Sequence, residues 1–164
     1  MNVEIREARV DEYAEAGMVT ADAYREFFEG DDQQHSYLDQ VADVAGRAPR
    51  TTLLVAVDGD RIVGSATLEL DGRTSNEVGP LAPDEAHIRM VGVSADTRGA
   101  GVGRALMAEC ERRAIEAGRT RMTLHTTVRM RAARAMYESL GYARTSDRVL
   151  PDGFVLLGYE KQLG

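Results

Sequence analysis

The chain has 164 residues, 43% of them apolar, with 20 Lys+Arg against 27 Asp+Glu and a formal net charge of −7. That size suits a single domain, 1–164, and the acidic balance argues against a nucleic-acid binder that neutralises a phosphate backbone. One cysteine, Cys110, excludes an intrachain disulfide and a cysteine-based metal cluster; no run approaches the roughly 20 apolar residues of a membrane helix, and the charged N-terminus lacks a signal-peptide core, so the sequence reads as cytoplasmic.

Residues 3–8 read as a strand, and Asp11 is expected to cap a helix with Ala14, Met18, Ala21, Tyr24 and Phe28 on its apolar stripe. The polar run 29–34 breaks it. A second helix follows with Leu38, Val41, Ala42 and Ala45 on one face, ending before Gly46 and Pro49. Residues 52–57 and 62–70 form a hairpin about Asp58-Gly59-Asp60-Arg61, and 71–84, with two glycines and two prolines, is a loop. The strand 86–93 runs into a glycine-bearing loop. A helix from about 101 buries Val102, Leu106, Cys110 and Ala114, and Gly118 ends it. A strand (122–126), a helix (131–140) and a hairpin about Pro151-Asp152-Gly153 complete an alternation that argues for α/β layers around a mixed sheet.

The charge is unevenly spread: residues 1–97 carry 8 basic and 20 acidic side chains, and residues 98–150 carry 11 and 5. The basic stretch opens with Arg98-Gly99-Ala100-Gly101-Val102-Gly103-Arg104, between a strand and a helix. Glycines let the backbone approach a ligand, and the free N–H groups of the first helical turn then face it with the helix dipole behind them. Such a site suits a pyrophosphate, with Arg98 and Arg104 able to fork onto phosphate oxygens. It is not a dinucleotide fingerprint, because the third glycine position holds Arg104 or Leu106. Nor is it a Walker loop, because the only lysine is Lys161.

Arg98-x-x-Gly101-x-Gly103, preceded by Val91-Gly92-Val93, resembles the acetyl-CoA pyrophosphate loop of the GCN5-related N-acetyltransferases (GNAT). Ala133-x-x-x-Tyr137-Glu138-x-x-Gly141-Tyr142 resembles that family's late helix, and the order of elements matches over essentially the whole chain. The resemblance implies a mixed, mostly antiparallel twisted sheet of six to seven strands flanked by about four helices, with splayed strands forming the acetyl-CoA cleft. It implies direct transfer of an acetyl group from acetyl-CoA to an amine, both bound together, without a metal. A non-catalytic acyl-CoA-binding module of the same fold is the alternative.

On this resemblance Arg98, Gly99, Ala100, Gly101, Val102, Gly103 and Arg104 hold the pyrophosphate, while Val91, Gly92 and Val93 offer a strand edge to the pantetheine amides and an N–H to the developing oxyanion. Tyr137 is the expected acid for the departing thiolate. Many relatives place a glutamate near the position of His87. Here the candidates for the base are His87, directly or through water, and Glu85 on the same strand face. Met130 stands where relatives often have an asparagine that bonds the cofactor. Arg129, Arg131 and Arg134 face either the 3′-phosphate or solvent. Glu29, Asp31, Asp32, Asp71, Glu77 and Asp84 are the expected acceptor walls, which would suit a cationic amine, and the last hairpin can pair across a homodimer.

Overall fold

In a computed structural model that describes residues 2–27, 32–71, 80–151 and 153–164, the alternation becomes one open sheet with helices on both faces. The elements are β1 (Val3–Glu7), α1 (Tyr13–Arg25), α2 (Asp32–Ala42), a one-turn α3 (Val44–Arg47), β2 (Thr52–Asp58), β3 (Arg61–Glu69), β4 (Glu85–Val93), α4 (Val102–Glu116), β5 (Arg121–Thr126), α5 (Arg131–Ser139), β6 (Ala143–Arg144), β7 (Arg148–Val149) and β8 (Val155–Gln162). The strand order is β1-β2-β3-β4-β5-β8-β6, with β7 also on β8. Every pairing described is antiparallel except β4 with β5.

The strand and helix totals exceed the expected numbers by small, local causes. The first arm of the last hairpin is split into two two-residue pieces, β6 and β7, each paired with β8. The second helix does not run on to Gly46. It stops at Ala42, and the Asp43 carboxylate accepts the Gly46 N–H at 3.0 Å, which caps the separate turn α3.

One face of the sheet packs on α4 and α5. Leu54, Ala66, Leu68, Ile88, Met122 and Leu124 meet Leu106, Met107, Cys110 and Tyr137 there. Cys110 is fully buried, and burial pushes its thiol up to about 12, so it is core rather than nucleophile. The other face is covered by α1, α2 and α3. Ala16 and Val44 meet Leu53, Val55 and Ile62, and Tyr24, Leu38 and Val41 gather around Met90 and Met130.

The expected stripe of α1 holds at Ala21 and Tyr24 but fails in the first half of the helix. Met18 is 61% exposed and Ala14 faces solvent, while Ala16, Gly17, Thr20, Ala21, Ala23 and Tyr24 are buried. Close approach is the reason: a Cβ on Gly17 would stand 2.1 Å from the Ala42 carbonyl oxygen, and one on Gly92 would meet Thr20 at 3.0 Å. Small residues therefore mark the buried side. Nor does Asp11 cap the helix. A 3₁₀ turn at Val10–Glu12 precedes it, and the Glu12 carboxylate accepts the Arg9 N–H at 2.8 Å while paired with Arg6. Phe28 and positions 29–31 of the polar break lie outside the described residues, as do Asp152 and positions 72–79 of the long loop.

Candidate active site

The site begins where two strands part. β4 pairs with β5 in parallel only from Glu85↔Arg121 to Ile88↔Leu124, after which β4 continues along β3 to Val93 and β5 continues along β8 to Thr126. From Arg89 to Val93 the β5-facing edge of β4 has no strand partner among the described residues. A bulge sits at the start of this stretch: Thr67 pairs with Arg89 and Ser65 with Gly92, so Met90 and Val91 together face the single residue Ala66. Met90 has φ 55°, alone among the described non-glycine residues in the left-handed region. The bulge shifts the alternation, so Met90 packs under α1 and α2 while Val91 and Val93 turn to the α4 side.

The parted strands open a cleft of about 480 Å³. Val91, Gly92 and Val93 form its floor, Ala23 and Tyr24 of α1 with Phe27 just past its end one wall, and Met130, Ala132, Ala133, Met136 and Tyr137 the other. The loop closes the mouth with Arg98, Gly99, Gly101, Val102, Gly103 and Arg104; of the expected loop residues only Ala100 does not line it.

Gly101, at φ 85°, is the N-cap of α4 and supplies no side-chain cap, and the first intrahelical bond described there runs from Ala105 N–H to the Gly101 carbonyl. The N–H groups of Val102, Gly103 and Arg104 are thus left for a ligand. Gly103 serves a different need, since a Cβ there would stand 3.1 Å from Met136 Sδ across the cleft. These uncapped donors and the unpaired β4 edge fit a cofactor with a pyrophosphate at one end and amides along its arm.

The arginines at the mouth already hold protein groups. Arg98 donates to Glu26 Oε1 at 2.7 Å and to the Ala23 carbonyl at 3.4 Å, and Arg104 donates to Ser139 Oγ at 2.6 Å. From the other side Arg129 donates to the Phe27 carbonyl at 3.2 Å, and Arg134 donates to Tyr159 Oη and the Val128 carbonyl.

Tyr137 is 5% exposed, with its ring against Tyr142 and Tyr159. Its hydroxyl has no hydrogen-bond partner among the described residues. Burial, with the Cys110 thiol behind it, pushes the phenol above its ordinary value, so it is held protonated.

The two candidate bases stand elsewhere, on the still-paired half of β4. His87 is 1% exposed, and its Nδ1 lies 2.8 Å from Thr123 Oγ1, while Thr123 donates to Glu85 Oε2 at 2.6 Å. With a carboxylate at one end of this chain, Thr123 accepts from Nδ1–H, which sets the tautomer of His87. Its ring is 5.3 Å from that of His125. Burial, then His125 and Arg89, push His87 down to about 3, so it is neutral near pH 7. Glu85 also accepts the Ala82 N–H and faces Arg121. Neither lines the cleft.

Two features went unread in the sequence. Tyr24 and Phe27 form a cleft wall, signalled only by aromatics near the end of the first helix. Glu69, 1% exposed, pairs with Arg89 at 3.2 Å beneath α2 and α3, signalled only by two charges inside otherwise apolar strands. Of the expected acidic walls, Asp84 faces Arg121 at 3.4 Å, while Glu29, Asp31, Glu77 and the Asp32 side chain lie outside what is described. No group of three or more His, Cys, Asp or Glu suited to a metal ion occurs among the described residues, and no helix among them is long and apolar enough to cross a membrane.

An open mixed sheet, with one parallel seam that parts beside a glycine loop at a helix N-terminus, is the class of fold that the sequence resemblance implied. Residues 17–142 match the model of the acetyltransferase (GNAT) family, and the chain belongs to that family. Among solved structures, an acetyltransferase of the GNAT family from Staphylococcus aureus Mu50 has a TM-score of 0.75 at 16% identity, covering 99% of this chain and 100% of that one. The yncA structure from Salmonella typhimurium, solved with its cofactor acetyl-CoA, gives 0.72 at 19%, covering 100% and 95%. The PaiA N-acetyltransferase from Thermoplasma acidophilum, in complex with coenzyme A, gives 0.75 at 13%, covering 99% of each. Comparison with curated protein sequences finds no match.

Proposed function

We propose that this chain transfers the acetyl group of acetyl-CoA to a primary amine of a small molecule or peptide, by direct attack with both substrates bound. The observation that carries this reading is the unpaired edge Val91–Val93 lying between the uncapped start of α4 and Tyr137. Acetyl-CoA supplies an activated thioester. The N–H groups of residues 102–104 hold its pyrophosphate with Arg98 and Arg104 at the rim, the β4 edge takes the amides of its arm, and an N–H of that edge polarises the thioester carbonyl. As the C–N bond forms and the C–S bond breaks, Tyr137 gives its phenolic proton to the departing sulfur and regains one from the attacking nitrogen. Burial in the same cleft also disfavours a free thiolate, which favours proton transfer to the departing sulfur.

Of the two expected bases, His87 is neutral and enclosed and Glu85 is committed to Thr123 and the Ala82 N–H. This reading therefore gives them a supporting place in the sheet, and the amine loses its first proton to water. The test is acetyl-CoA-dependent thiol release across a panel of amines. Turnover is expected for wild type, and Tyr137→Phe should lower kcat by about 10- to 1,000-fold with acetyl-CoA KM nearly unchanged. Tight acetyl-CoA binding without turnover of any amine would instead make the chain a binding module.

A further inference from the structure

Four of the chain's nine Phe and Tyr side chains gather at one place. Tyr24 and Phe27 line the cleft opposite α5, and Tyr37 and Phe154 stand behind them, with Met90 and Met130 completing the cluster. The Tyr24 and Tyr37 ring centroids are 6.3 Å apart. Met130 occupies the N-cap of α5 without capping it, and its sulfur takes the Thr126 hydroxyl at 3.6 Å. No carboxylate lines the cleft among the described residues. The cations at its rim, Arg98 and Arg104, belong to the loop end.

We propose that this cluster is the acceptor seat, and that it selects a primary amine carried on an aromatic or bulky apolar body. The inference rests on the reading of the chain as an amine acetyltransferase. The loop and the β4 edge take the cofactor, which leaves the α1 wall to face the incoming amine. Aromatic rings and polarizable thioethers give a flat apolar body close contact. A polyamine or an aminoglycoside would bring several charges to a wall with no described carboxylate to receive them.

The same seat accounts for deprotonation without a base. An ammonium moved from water into apolar surroundings has its pKa lowered, because burial disfavours the charged form. Among the charged groups described around the seat, Arg47, Arg89, Arg98 and Arg129 disfavour a further cation, and the two carboxylates, Glu26 and Glu69, are each held by an arginine. From β4 Arg89 lies beside Met90, its Nη2 at 3.8 Å from the Met90 sulfur; Arg98 from the loop and Arg129 from the segment before α5 hold the end of α1. Tyr24, Tyr37 and Tyr137 are phenols, and Glu26 stands at the mouth on Arg98. The ammonium sheds one proton to water on entry, the neutral nitrogen forms the C–N bond as the C–S bond breaks, and its second proton ends on the thiol.

The experiment measures kcat/KM by thiol release for phenethylamine, cyclohexylmethylamine, spermidine and an alanyl peptide, at pH 6–9.5, with acetyl-CoA affinity followed separately by calorimetry. Phenethylamine or cyclohexylmethylamine should exceed spermidine and the peptide by about ten-fold or more. Their kcat/KM should rise with the free-amine fraction, with no enzyme ionisation between pH 6 and 8. Phe27→Ala should raise the KM of the aromatic amine about ten-fold while leaving acetyl-CoA affinity within about two-fold, and Phe27→Leu should recover most of it. Preference for spermidine or the peptide, or an inflection between pH 6 and 8 that does not move with the amine, would overturn this inference and leave acetyl transfer standing. No turnover of any amine despite acetyl-CoA binding would overturn the transfer reading itself.

Discussion

Arg98, on the glycine loop, donates to Glu26, just past the end of α1, at 2.7 Å across the mouth of the cleft. Both side chains are about half exposed, so the pair is worth no more than about 1 kcal/mol. A guanidinium that holds a carboxylate must leave it to fork onto a pyrophosphate. Glu26→Gln should therefore tighten acetyl-CoA binding by about two- to five-fold at low salt, and the gain should shrink as salt screens the pair. Calorimetric titration at two salt concentrations measures this, and unchanged or weaker binding would count against competition for Arg98.

Met90 holds the bulge with a positive φ that a β-branched side chain resists. Met90→Val should cost about 1–3 kcal/mol of stability from backbone strain, together with part of the packing under α1 and α2. Met90→Gly keeps the backbone conformation and loses only the packing. If the bulge shapes the cleft, Met90→Val should weaken acetyl-CoA binding more than Met90→Gly does; urea unfolding and calorimetry on the same samples separate the two effects.

The two glycines of the helix start predict opposite behaviour from their surroundings. Nothing lies within 4 Å of a Cβ added at Gly101, but its φ of 85° makes alanine strained, so Gly101→Ala should lower stability by about 1 kcal/mol and raise the acetyl-CoA KM by distorting the donor N–H groups. At Gly103 the added Cβ presses on the flexible end of Met136, with Val93 Cγ2 in ordinary contact at 3.7 Å. Gly103→Ala should be tolerated in stability but should narrow the cleft; thermal melts with and without CoA test both.

His87 carries a pH signature. Its folded value of about 3 lies below the ordinary value near 6.5. The unfolded chain binds this proton as pH drops below about 6.5, and the folded chain resists it until about 3. The contribution is fully present above pH 6.5 and is lost as pH falls toward 3. His87→Asn should be less stable at pH 7, having lost the bond to Thr123, yet should lose less on going from pH 7 to pH 4. Urea midpoints across that range test it, and parallel curves for variant and wild type would show that His87 is not held neutral.

The glycine loop was legible as a strand-to-helix turn because its residues declare a backbone requirement, whereas Tyr137 was singled out by the resemblance to a family's late helix, since its helix context alone reads as packing. The bulge at Met90 was not, since a methionine at positive φ leaves no trace in composition. The buried side of α1 was read correctly at Ala21 and Tyr24 but misread in the first half of the helix for a related reason: hydrophobicity points to Met18, whereas close packing demands Ala16, Gly17 and Thr20. The enclosure of His87 depends on β5 and on α1–α3, which lie far from it in sequence. Alternation along β4 correctly put Glu85 and His87 on one face, and Thr123 of β5 joins them.

The parallel seam of four residue pairs between β4 and β5 is also where the chain divides. Everything through α4 forms an antiparallel sheet of its own, and β5 to β8 form another. A ligand bound to the loop on one side and to α5 on the other would act as a rivet between these halves. Fragments cut in the turn between α4 and β5 should then reassemble more tightly when CoA is present, with the cofactor serving as part of the joint.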